Sequence, residues 1–420
     1  MKIKNRILKS IFKVGILESL SSVLSIVITF LIIFIIGAEQ NGMIIIVQSY
    51  CMLMNDIFNF QSFTAVIKFL SNNNINKYSN KIKQILKQAY FYDILTAIIA
   101  TIVGISLLPF VSKFMGWNSS VIILINIYII SILLNINGTA IGILRYYNKF
   151  TYVALNNIVY NFIRLFIIIF LNKELTITIL IILETILSIV KNLSLNILAV
   201  IILRGNGIKG LYKEKLVFDK EFFKFNIYSN ITVTLDLPFQ YLAIFFINKY
   251  LGFSENTIYK IFQNIGSIMT KISSPITQVI YPEMAKAVSN KNIKLATEYF
   301  KKIFKYLSIL TIAISTLIYI TKGIWFNMLV GTNFYYNKEL LSYLVFCIIS
   351  TSFMGIHPLF ISLGYIKYNI RILILSNGIY CTLLLILGGS NGLEGIIISL
   401  LVQCIIVVVL KGYIIKSKDI

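Results

Sequence analysis

The sequence predicts an all-α protein that crosses a membrane about twelve times, as two lobes of six helices each. Composition is the first reason: of the 420 residues, 58% are hydrophobic and 13% are charged, and the mean hydropathy is +0.84. Soluble domains have about 45–50% apolar and about 25% charged residues. A soluble enzyme and a disordered chain are therefore excluded. The spacing of the apolar stretches and the distribution of the basic residues are the other two reasons.

Twelve apolar stretches are long enough to cross a bilayer as helices, and short polar clusters separate them. Their approximate limits are 14–36, 43–67, 89–111, 121–144, 151–171, 175–203, 223–248, 256–281, 303–325, 339–364, 368–388 and 393–415. The clearest breaks are 37–42, 71–74 and 204–207, whereas Lys173-Glu174 leaves only a tight turn. The first stretch is too long for a signal-peptide core, so we expect it to remain as the first span.

Basic residues fall mainly on one side of this predicted topology. The net charge is +22. The loops on one side of the membrane hold 29 Lys and Arg residues, and the loops on the other side hold 5. The minority side holds Lys113, Lys173, Lys249, Lys322 and Lys338. Because basic loops stay in the cytoplasm, both termini are predicted to be cytoplasmic. The positive charge then faces anionic lipid head groups, and no nucleic-acid partner is expected.

Few residues in the chain suit catalysis or metal binding. The four cysteines lie in apolar stretches without a CxxC spacing, and the one histidine, His357, precedes Pro358. For His357 a hydrogen bond at a helix kink is favoured over a proton relay. Neither a zinc site nor a nucleotide-binding fingerprint is present. We therefore expect no catalytic residue, no metal and no cofactor, and a secondary transporter fits better than an enzyme.

The chain divides into two similar halves. The predicted N-terminal lobe is 1–203, a cytoplasmic linker follows at 204–222, and the C-terminal lobe is 223–420. At an offset of 215 residues, Gly37 corresponds to Gly252, Asn41 to Asn256 and Gln48 to Gln263. Six spans per half predict a parallel repeat with a pseudo-twofold axis along the membrane normal, and a substrate site between the repeats. An uneven helical bundle with accidental similarity is the alternative.

Charged residues inside the predicted spans are the main functional candidates, because a charge in the bilayer is costly and usually faces a cavity. The acidic candidates are Glu18, Asp56, Glu184 and Asp236, and the basic candidates are Arg164, Lys191, Lys260 and Lys271. Span eight carries a polar row at steps of three and four residues: Lys260, Asn264, Ser267, Lys271, Ser274 and Gln278. The Ser and Thr positions are interpreted as hydrogen bonds between helices. The three cations Arg164, Lys260 and Lys271 favour a water-filled cavity, although Lys260 is near enough to a helix end to snorkel instead.

Residues 56–68, Asp-Ile-Phe-Asn-Phe-Gln-Ser-Phe-Thr-Ala-Val-Ile-Lys, carry a more specific signal. They resemble the second-span signature of the Wzx-type polysaccharide flippases, in which Phe-Gln-Ser and an aromatic residue lead to an Ala-(Val/Ile)-Ile-Lys ending. Phe63 stands where that family usually has Trp. The basic N-terminus, the twelve spans and the two halves of six also resemble that family, which belongs to the multidrug/oligosaccharidyl-lipid/polysaccharide exporter superfamily.

The resemblance implies that an undecaprenyl-pyrophosphate-linked O-antigen or similar repeat unit is flipped outward across a bacterial inner membrane, in lipopolysaccharide or other polysaccharide biosynthesis. Membrane lipids, a polysaccharide polymerase and a chain-length regulator are the other implied partners. Arg164, Lys260 and Lys271 are expected to bind the diphosphate or an anionic sugar. The expected polar lumen consists of Gln48, Asn59, Gln61, Asn157, Asn161 and Asn264. Glu18, Asp56 and Asp236 are the candidates for coupling to protons or sodium.

Two other functions stay open on the sequence. A cation-coupled multidrug antiporter of the same superfamily is the first, since the four acidic and four basic candidates named above do not exclude an acidic drug cavity. An O-antigen polymerase or a membrane acyltransferase is the second. The short outer loops and the single, proline-flanked histidine argue against such an enzyme.

Overall fold

The chain is helical almost throughout the residues that the computed structural model describes, which are 2–60, 62–71, 80–234, 237–330 and 335–419. The helices of the first half are α1 (Lys2–Phe58), α2 (Phe63–Leu70), α3 (Asn80–Met115), α4 (Ser119–Tyr128), α5 (Ile130–Leu133), α6 (Gly138–Tyr146), α7 (Phe150–Leu171), α8 (Ile177–Gly205) and α9 (Lys220–Thr234). A π-helical turn, Pro238–Leu242, begins the second half. The helices that follow are α10 (Ala243–Leu251), α11 (Phe253–Ser289), α12 (Ile293–Ile320), α13 (Lys322–Val330), α14 (Asn337–Ser352), α15 (Ile356–Ser362) and α16 (Ile366–Asp419).

The prediction of an all-α membrane protein is confirmed. In the described part of the chain, seven helices are long and apolar enough to cross a membrane, or eight if the bent pair Ser119–Leu133 and Gly138–Tyr146 forms one span. Two of them, Lys13–Leu70 and Lys367–Ser417, contain 58 and 51 residues. One pass takes about 20 residues, so each of these two is long enough for two passes.

Glycines with positive φ divide consecutive spans. Gly37 breaks α1 at φ 85° and ψ 166°, and Gly392 breaks α16 at φ 59° and ψ −139°. Gly252 separates α10 from α11 at φ 98° and ψ −174°. Residues with a Cβ rarely adopt this region, so glycine is needed at these reversals. Gly37 and Gly252, aligned in the sequence comparison, therefore share one backbone conformation.

Five of the predicted spans are interrupted, and the break in span nine lies near its end, where Thr321 separates α12 from α13. Span two stops at Phe58 and resumes at Phe63, and span four is broken between Leu133 and Gly138. Span seven contains the π-helical turn, and a 3₁₀ turn separates α14 from α15 in span ten. Asparagine side chains compete for backbone hydrogen bonds and weaken a helix locally, which accounts for the breaks beside Asn59 and Asn135.

The chain packs as two compact units. The C-terminal unit consists of Met1–Ser22, Gly37–Gly42 and Pro238–Ile420. The N-terminal unit consists of Val23–Ile36 and Met43–Leu237, and it includes the predicted linker at 204–222.

Each unit has its own apolar core. In the N-terminal unit, Val66, Leu86, Ala140 and Phe222 are fully buried where α2, α3, α6 and α9 meet. In the C-terminal unit, α11, α12, α15 and α16 enclose a core that contains Met284, Leu307, Phe360 and Ile372. Large apolar side chains also cover the outside of the helices, as at Phe34, Phe110, Phe170 and Ile320. This outer apolar surface suits contact with lipid.

Candidate functional site

The polar row predicted along span eight lies on α11 in the C-terminal unit. Lys271 Nζ donates a hydrogen bond to the hydroxyl of Ser22, which belongs to the first helix. The Ser22 hydroxyl donates in turn to the carbonyl oxygen of Glu18 at 2.7 Å. The Glu18 carboxylate also interacts electrostatically with Lys271. The structure therefore brings a predicted substrate-binding cation and a predicted coupling acid into one local site.

The beginning of the same helix carries amides that lack hydrogen-bond partners. Lys260 and Asn264 are both half-buried on α11. The Asn264 side-chain nitrogen is buried without a partner among the described residues, and so are both polar side-chain atoms of Asn256. A buried polar atom without a partner is costly, so such atoms mark places where water or a ligand binds. These amides are suited to hydrogen bonding with hydroxyl groups.

A cavity of about 600 Å³ lies inside the C-terminal unit beside this row. The residues that give it a polar lining include Gln240, Gln263, Ser267, Thr270, Gln403, His357 and Lys411. Aromatic and aliphatic side chains such as Phe346, Leu373 and Val407 supply the rest of its wall. A volume of this size holds a small organic molecule or part of a larger one.

Lys411 gives this cavity a buried positive charge. It is only 4% exposed, and its Nζ lies 3.1 Å from Nδ1 of His357. An ammonium group only donates, so Nδ1 of His357 accepts and its Nε2 carries the proton. Sequence reasoning missed this pair, because Lys411 was assigned to the cytoplasmic end of span twelve. The spacing of Gln403, Val407 and Lys411 at four-residue steps was the available signal for a shared helix face.

The predicted cation Arg164 lies in the N-terminal unit, where it forms an ion pair with Glu184. The two side chains are 12% and 2% exposed. The hydroxyl of Tyr160 donates to the other Glu184 oxygen at 3.0 Å, and Lys191 lies over the Tyr160 ring at 4.9 Å. The charge of Arg164 is therefore balanced inside its own unit, whereas that of Lys271 meets a hydroxyl and a more distant acid.

Asparagines form a network at the breaks of spans two and four. Asn59 Nδ2 donates to Asn55 Oδ1 at 3.0 Å and to the Asn135 carbonyl oxygen at 2.9 Å. Asn135 Nδ2 also donates to Asn55 Oδ1, at 2.9 Å, and Asn55 Nδ2 donates to Asp56 Oδ1 at 3.0 Å. The network satisfies the backbone carbonyl oxygen of Asn135, which the broken helix leaves without an intrahelical partner. The predicted residues Asn59 and Asp56 are thus joined through Asn55.

The other predicted residues of the polar lumen are less informative. Gln48 and Asn157 are half-buried in the N-terminal unit, and Asn161 is buried. Gln61 and Asp236 lie outside the described residues.

Asp93 is a buried acid that sequence reasoning missed. It is 1% exposed, and its Oδ1 accepts from the backbone N–H of Ser62 at 3.1 Å. Its Oδ2 accepts from the backbone N–H of Thr139 at 2.6 Å and from the Thr139 hydroxyl at 2.7 Å. One carboxylate thereby caps the start of both α2 and α6, the segments that resume after the two breaks. The available signal was a lone acid inside the predicted span 89–111.

One titratable pair lies next to the predicted spans. The hydroxyl of Tyr336 donates to Glu255 Oε1 at 2.8 Å. Burial raises the pKa of the Glu255 carboxyl above its ordinary value, and the Tyr336 hydrogen bond opposes that rise. This contact ties the first turn of α11 to the residue before α14. Elsewhere in the described chain, no group of three or more His, Cys, Asp or Glu side chains is arranged to hold a metal ion.

Comparison with known proteins identifies the fold. No family model matches the chain. The curated Escherichia coli (strain K12) inner membrane protein YghQ is 30% identical over 127 residues, which is 29% of this chain and 35% of that protein. The lipid II flippase MurJ in an inward closed conformation matches with a TM-score of 0.70 and 16% identity, over 97% of this chain and 88% of that chain. An inward-facing multidrug resistance MATE family transporter of the MOP superfamily matches with a TM-score of 0.69 and 12% identity, over 97% and 94% of the two chains.

These likenesses define the class of the molecule. The chain is a multi-pass membrane protein with the two-lobed helical fold that MurJ and the MATE transporters share. One of these neighbours is named as a flippase and the other as a multidrug resistance transporter.

Proposed function

We propose that this protein is a flippase that moves undecaprenyl-pyrophosphate-linked O-antigen or similar repeat units from the cytoplasmic to the periplasmic leaflet of a bacterial inner membrane. The observation that carries the proposal is the ammonium group of Lys271, which lies on α11 in predicted span eight and contacts Ser22 of the first helix. The fold shared with the lipid II flippase MurJ supports the same function.

The physical demands of such a substrate match these residues. Each hydroxyl group moved into hydrocarbon without a partner costs about 4–8 kcal/mol, so an oligosaccharide needs a polar path. In the C-terminal unit the amides of Asn256 and Asn264 offer such hydrogen bonds, and in the N-terminal unit the asparagine network offers others. The diphosphate needs cations, for which Lys271 and Lys260 are the candidates. Arg164 joins them only if its ion pair with Glu184 opens during transport.

The proposed cycle is alternating access, in which the polar groups open first to the cytoplasm and then to the periplasm. Both termini are proposed to be cytoplasmic, as the basic loops indicate. A membrane potential that is negative inside assists outward movement of two phosphate charges by roughly 4–5 kcal/mol per 100 mV. Glu18, Asp56 and Asp236 are the proposed sites for a coupled proton or sodium ion. A polysaccharide polymerase and a chain-length regulator are the proposed later partners.

Reconstitution tests the proposal directly. The purified protein is placed in liposomes that contain fluorescent undecaprenyl-diphosphate oligosaccharide in both leaflets, and a membrane-impermeant reagent quenches the outer label. Protein-free liposomes retain about half of the signal. The proposal predicts that the protein makes the inner half accessible too. Retention of that half by liposomes that contain folded protein contradicts it.

A multidrug antiporter is the second candidate, and one observation favours it. The Glu18 carboxylate is exposed near Lys271, and an accessible acid in the first predicted span suits a cationic drug. The fold shared with the MATE family transporter also supports this second candidate. Drug susceptibility of a sensitive bacterial strain separates the candidates: the antiporter raises resistance to lipophilic cations, whereas the flippase leaves it unchanged.

A further inference from the structure

A second cavity lies in the N-terminal unit, where α3 and α8 meet the segment that follows α8. Its volume is about 530 Å³. Its wall comes from α3, from the last turns of α8 and from the segment that follows α8, and it includes Lys87, Tyr90, Phe91, Val200, Arg204 and Lys209. The size suits a small-molecule or lipid head-group site. None of the residues discussed for transport lines it.

The rim of this cavity is basic. Arg204 and Lys209 are exposed, and Lys87 is half-buried. Lys87 Nζ donates to the backbone carbonyl oxygen of Glu214, which fixes the ammonium group beside the cavity. The described lining contains three basic residues and no acidic one. The charge is therefore complementary to an anion.

The opposite side of the cavity is apolar and continues onto the outer surface of the helices. Phe91, Ile94 and Val200 line the cavity and are 36%, 46% and 39% exposed. They belong to α3 and α8, two of the helices that are apolar enough to cross a membrane. A ligand in this cavity therefore meets cations at one end and a lipid-facing apolar surface at the other.

Among the described residues that line the cavity, one buried side-chain polar atom lacks a hydrogen-bond partner. The hydroxyl oxygen of Tyr90 is buried, and no described residue bonds to it. A buried tyrosine hydroxyl usually has a partner. A ligand oxygen placed next to the basic rim would supply one.

The segment that closes the cavity is held in place by hydrogen bonds. Gln88, 1% exposed, donates to the carbonyl oxygen of Asp219 and accepts from its N–H, both at 3.1 Å. The Asp219 carboxylate also accepts from the N–H groups of Glu221 and Phe222, which caps α9. The site is therefore formed before a ligand arrives, which lowers the entropic cost of binding.

We propose that this cavity binds one molecule of an anionic phospholipid. Arg204, Lys209 and the Tyr90 hydroxyl contact its phosphate, and its acyl chains lie along Phe91, Ile94 and Val200. The basic residues at this end of α8 lie on the side that the positive-inside pattern assigns to the cytoplasm, where anionic lipids attract basic segments. The bound lipid would join the segment after α8 to the membrane surface. The inference is independent of what the protein transports.

Native mass spectrometry of the full-length protein in detergent tests this site, with phosphatidylglycerol and phosphatidylcholine titrated separately. We expect phosphatidylglycerol to bind and phosphatidylcholine to bind much more weakly. The double variant Arg204→Gln/Lys209→Gln should weaken phosphatidylglycerol binding at least about tenfold, since it removes two charged hydrogen bonds. Lys215→Gln/Lys220→Gln is the matched control, because it removes the same charge from exposed residues that do not line the cavity. The control should bind like the wild type.

Tyr90→Phe provides a test with little risk to folding, and we expect a severalfold loss of affinity. Equal binding by the two double variants would overturn the proposal, and so would equal binding of the two phospholipids. Competition identifies the source of the phosphate. The phospholipid assignment is wrong if inorganic phosphate alone displaces bound phosphatidylglycerol. It is also wrong if undecaprenyl phosphate occupies the site at lower concentrations than phosphatidylglycerol does.

Discussion

The hydroxyl of Thr257 donates a hydrogen bond to the backbone carbonyl oxygen of Ala38 at 2.6 Å and accepts one from the side-chain amide of Asn41 at 3.0 Å. Gly42 lies so close to Phe253 that an added Cβ would be 1.8 Å from the Phe253 carbonyl oxygen. At the offset of 215 residues, Ala38 corresponds to Phe253, and Gly42 corresponds to Thr257. The Thr257–Ala38 contact in one direction therefore corresponds to the Gly42–Phe253 contact in the other. Such reciprocal pairing of equivalent positions is the pattern of an isologous interface. All five residues belong to the C-terminal unit.

Gly42→Ala should destabilise this contact. A Cβ at Gly42 overlaps the Phe253 carbonyl group, and that backbone has to shift. Overpacking of this kind costs about 1–3 kcal/mol, so the melting temperature of the purified protein should fall. Gly323→Ala is the control, because a Cβ there meets nothing within 4 Å. An unchanged melting temperature for Gly42→Ala would show that the close approach is absent.

Thr257→Val tests the polar half of the same contact. Valine has nearly the shape of threonine but no hydroxyl group. The carbonyl oxygen of Ala38 and the side-chain amide of Asn41 therefore lose their hydrogen-bond partner, which should lower the free energy of unfolding by about 1–3 kcal/mol. Thr316→Val is the matched control, because the Thr316 side chain is exposed and its hydroxyl bonds only to Ile312 of the preceding turn. Thermal unfolding followed by circular dichroism should separate the two variants. Equal melting temperatures would contradict the buried hydrogen-bond network.

Asp93→Asn should reduce the amount of folded protein. The amide can replace only one carboxylate oxygen, and its NH₂ group then faces a backbone N–H that needs an acceptor. The loss of a charged cap at two helix starts is expected to cost about 2–3 kcal/mol or more. Asp56→Asn is the comparison, because the amide oxygen can still accept from Asn55. Size-exclusion profiles that are normal for both variants would show that the caps at α2 and α6 are dispensable.

The Arg164–Glu184 pair should behave as a coupled unit. Glu184→Gln leaves a largely buried guanidinium without its counter-charge, and such single changes cost about 3–5 kcal/mol. The double variant Arg164→Gln/Glu184→Gln removes both charges and should be more stable than Glu184→Gln alone. A double-mutant cycle on melting temperature measures the coupling. Additive effects of the two changes would argue against a direct ion pair.

The fold follows from local features of the sequence. Apolar length is a property of each segment, so the predicted spans coincide with helical segments, although several of these segments are interrupted. Gly37 and Gly252 were recognisable because only glycine readily adopts the backbone that reverses the chain there. The breaks in spans two and four were missed, because an average over about 20 apolar residues conceals a few asparagines.

The candidate site was only partly predictable, since it depends on packing between distant segments. Helix periodicity identified Lys271 as a polar position, but its contact with Ser22 joins residues almost 250 positions apart. Lys411 has the sequence context of a cytoplasmic lysine, and only the packing of α15 against α16 places it beside His357. Asp93 likewise acquires its role from two helix starts that the sequence does not show as breaks.

Lys271→Gln should reduce flipping without reducing folded protein. The amide keeps a hydrogen bond but loses the charge that the diphosphate needs, and loss of a charged hydrogen bond lowers a rate or affinity roughly tenfold or more. Lys305→Gln is the matched control, because Lys305 is exposed on α12. Initial flipping rates at equal protein levels give the comparison. Equal rates for the wild type and Lys271→Gln would remove Lys271 from the proposed path.

Inverted inner-membrane vesicles offer the most direct test of the central claim, that the protein moves lipid-linked oligosaccharide outward. Labelled undecaprenyl-diphosphate oligosaccharide is added on the exposed cytoplasmic face, and its protection from an added glycosidase is followed with time. Outward flipping predicts protection that requires the protein and is at least roughly tenfold slower with Lys271→Gln than with Lys305→Gln. Vesicles that contain folded protein and the native repeat unit but protect no more label than empty vesicles would contradict it, and would favour the small-molecule antiporter.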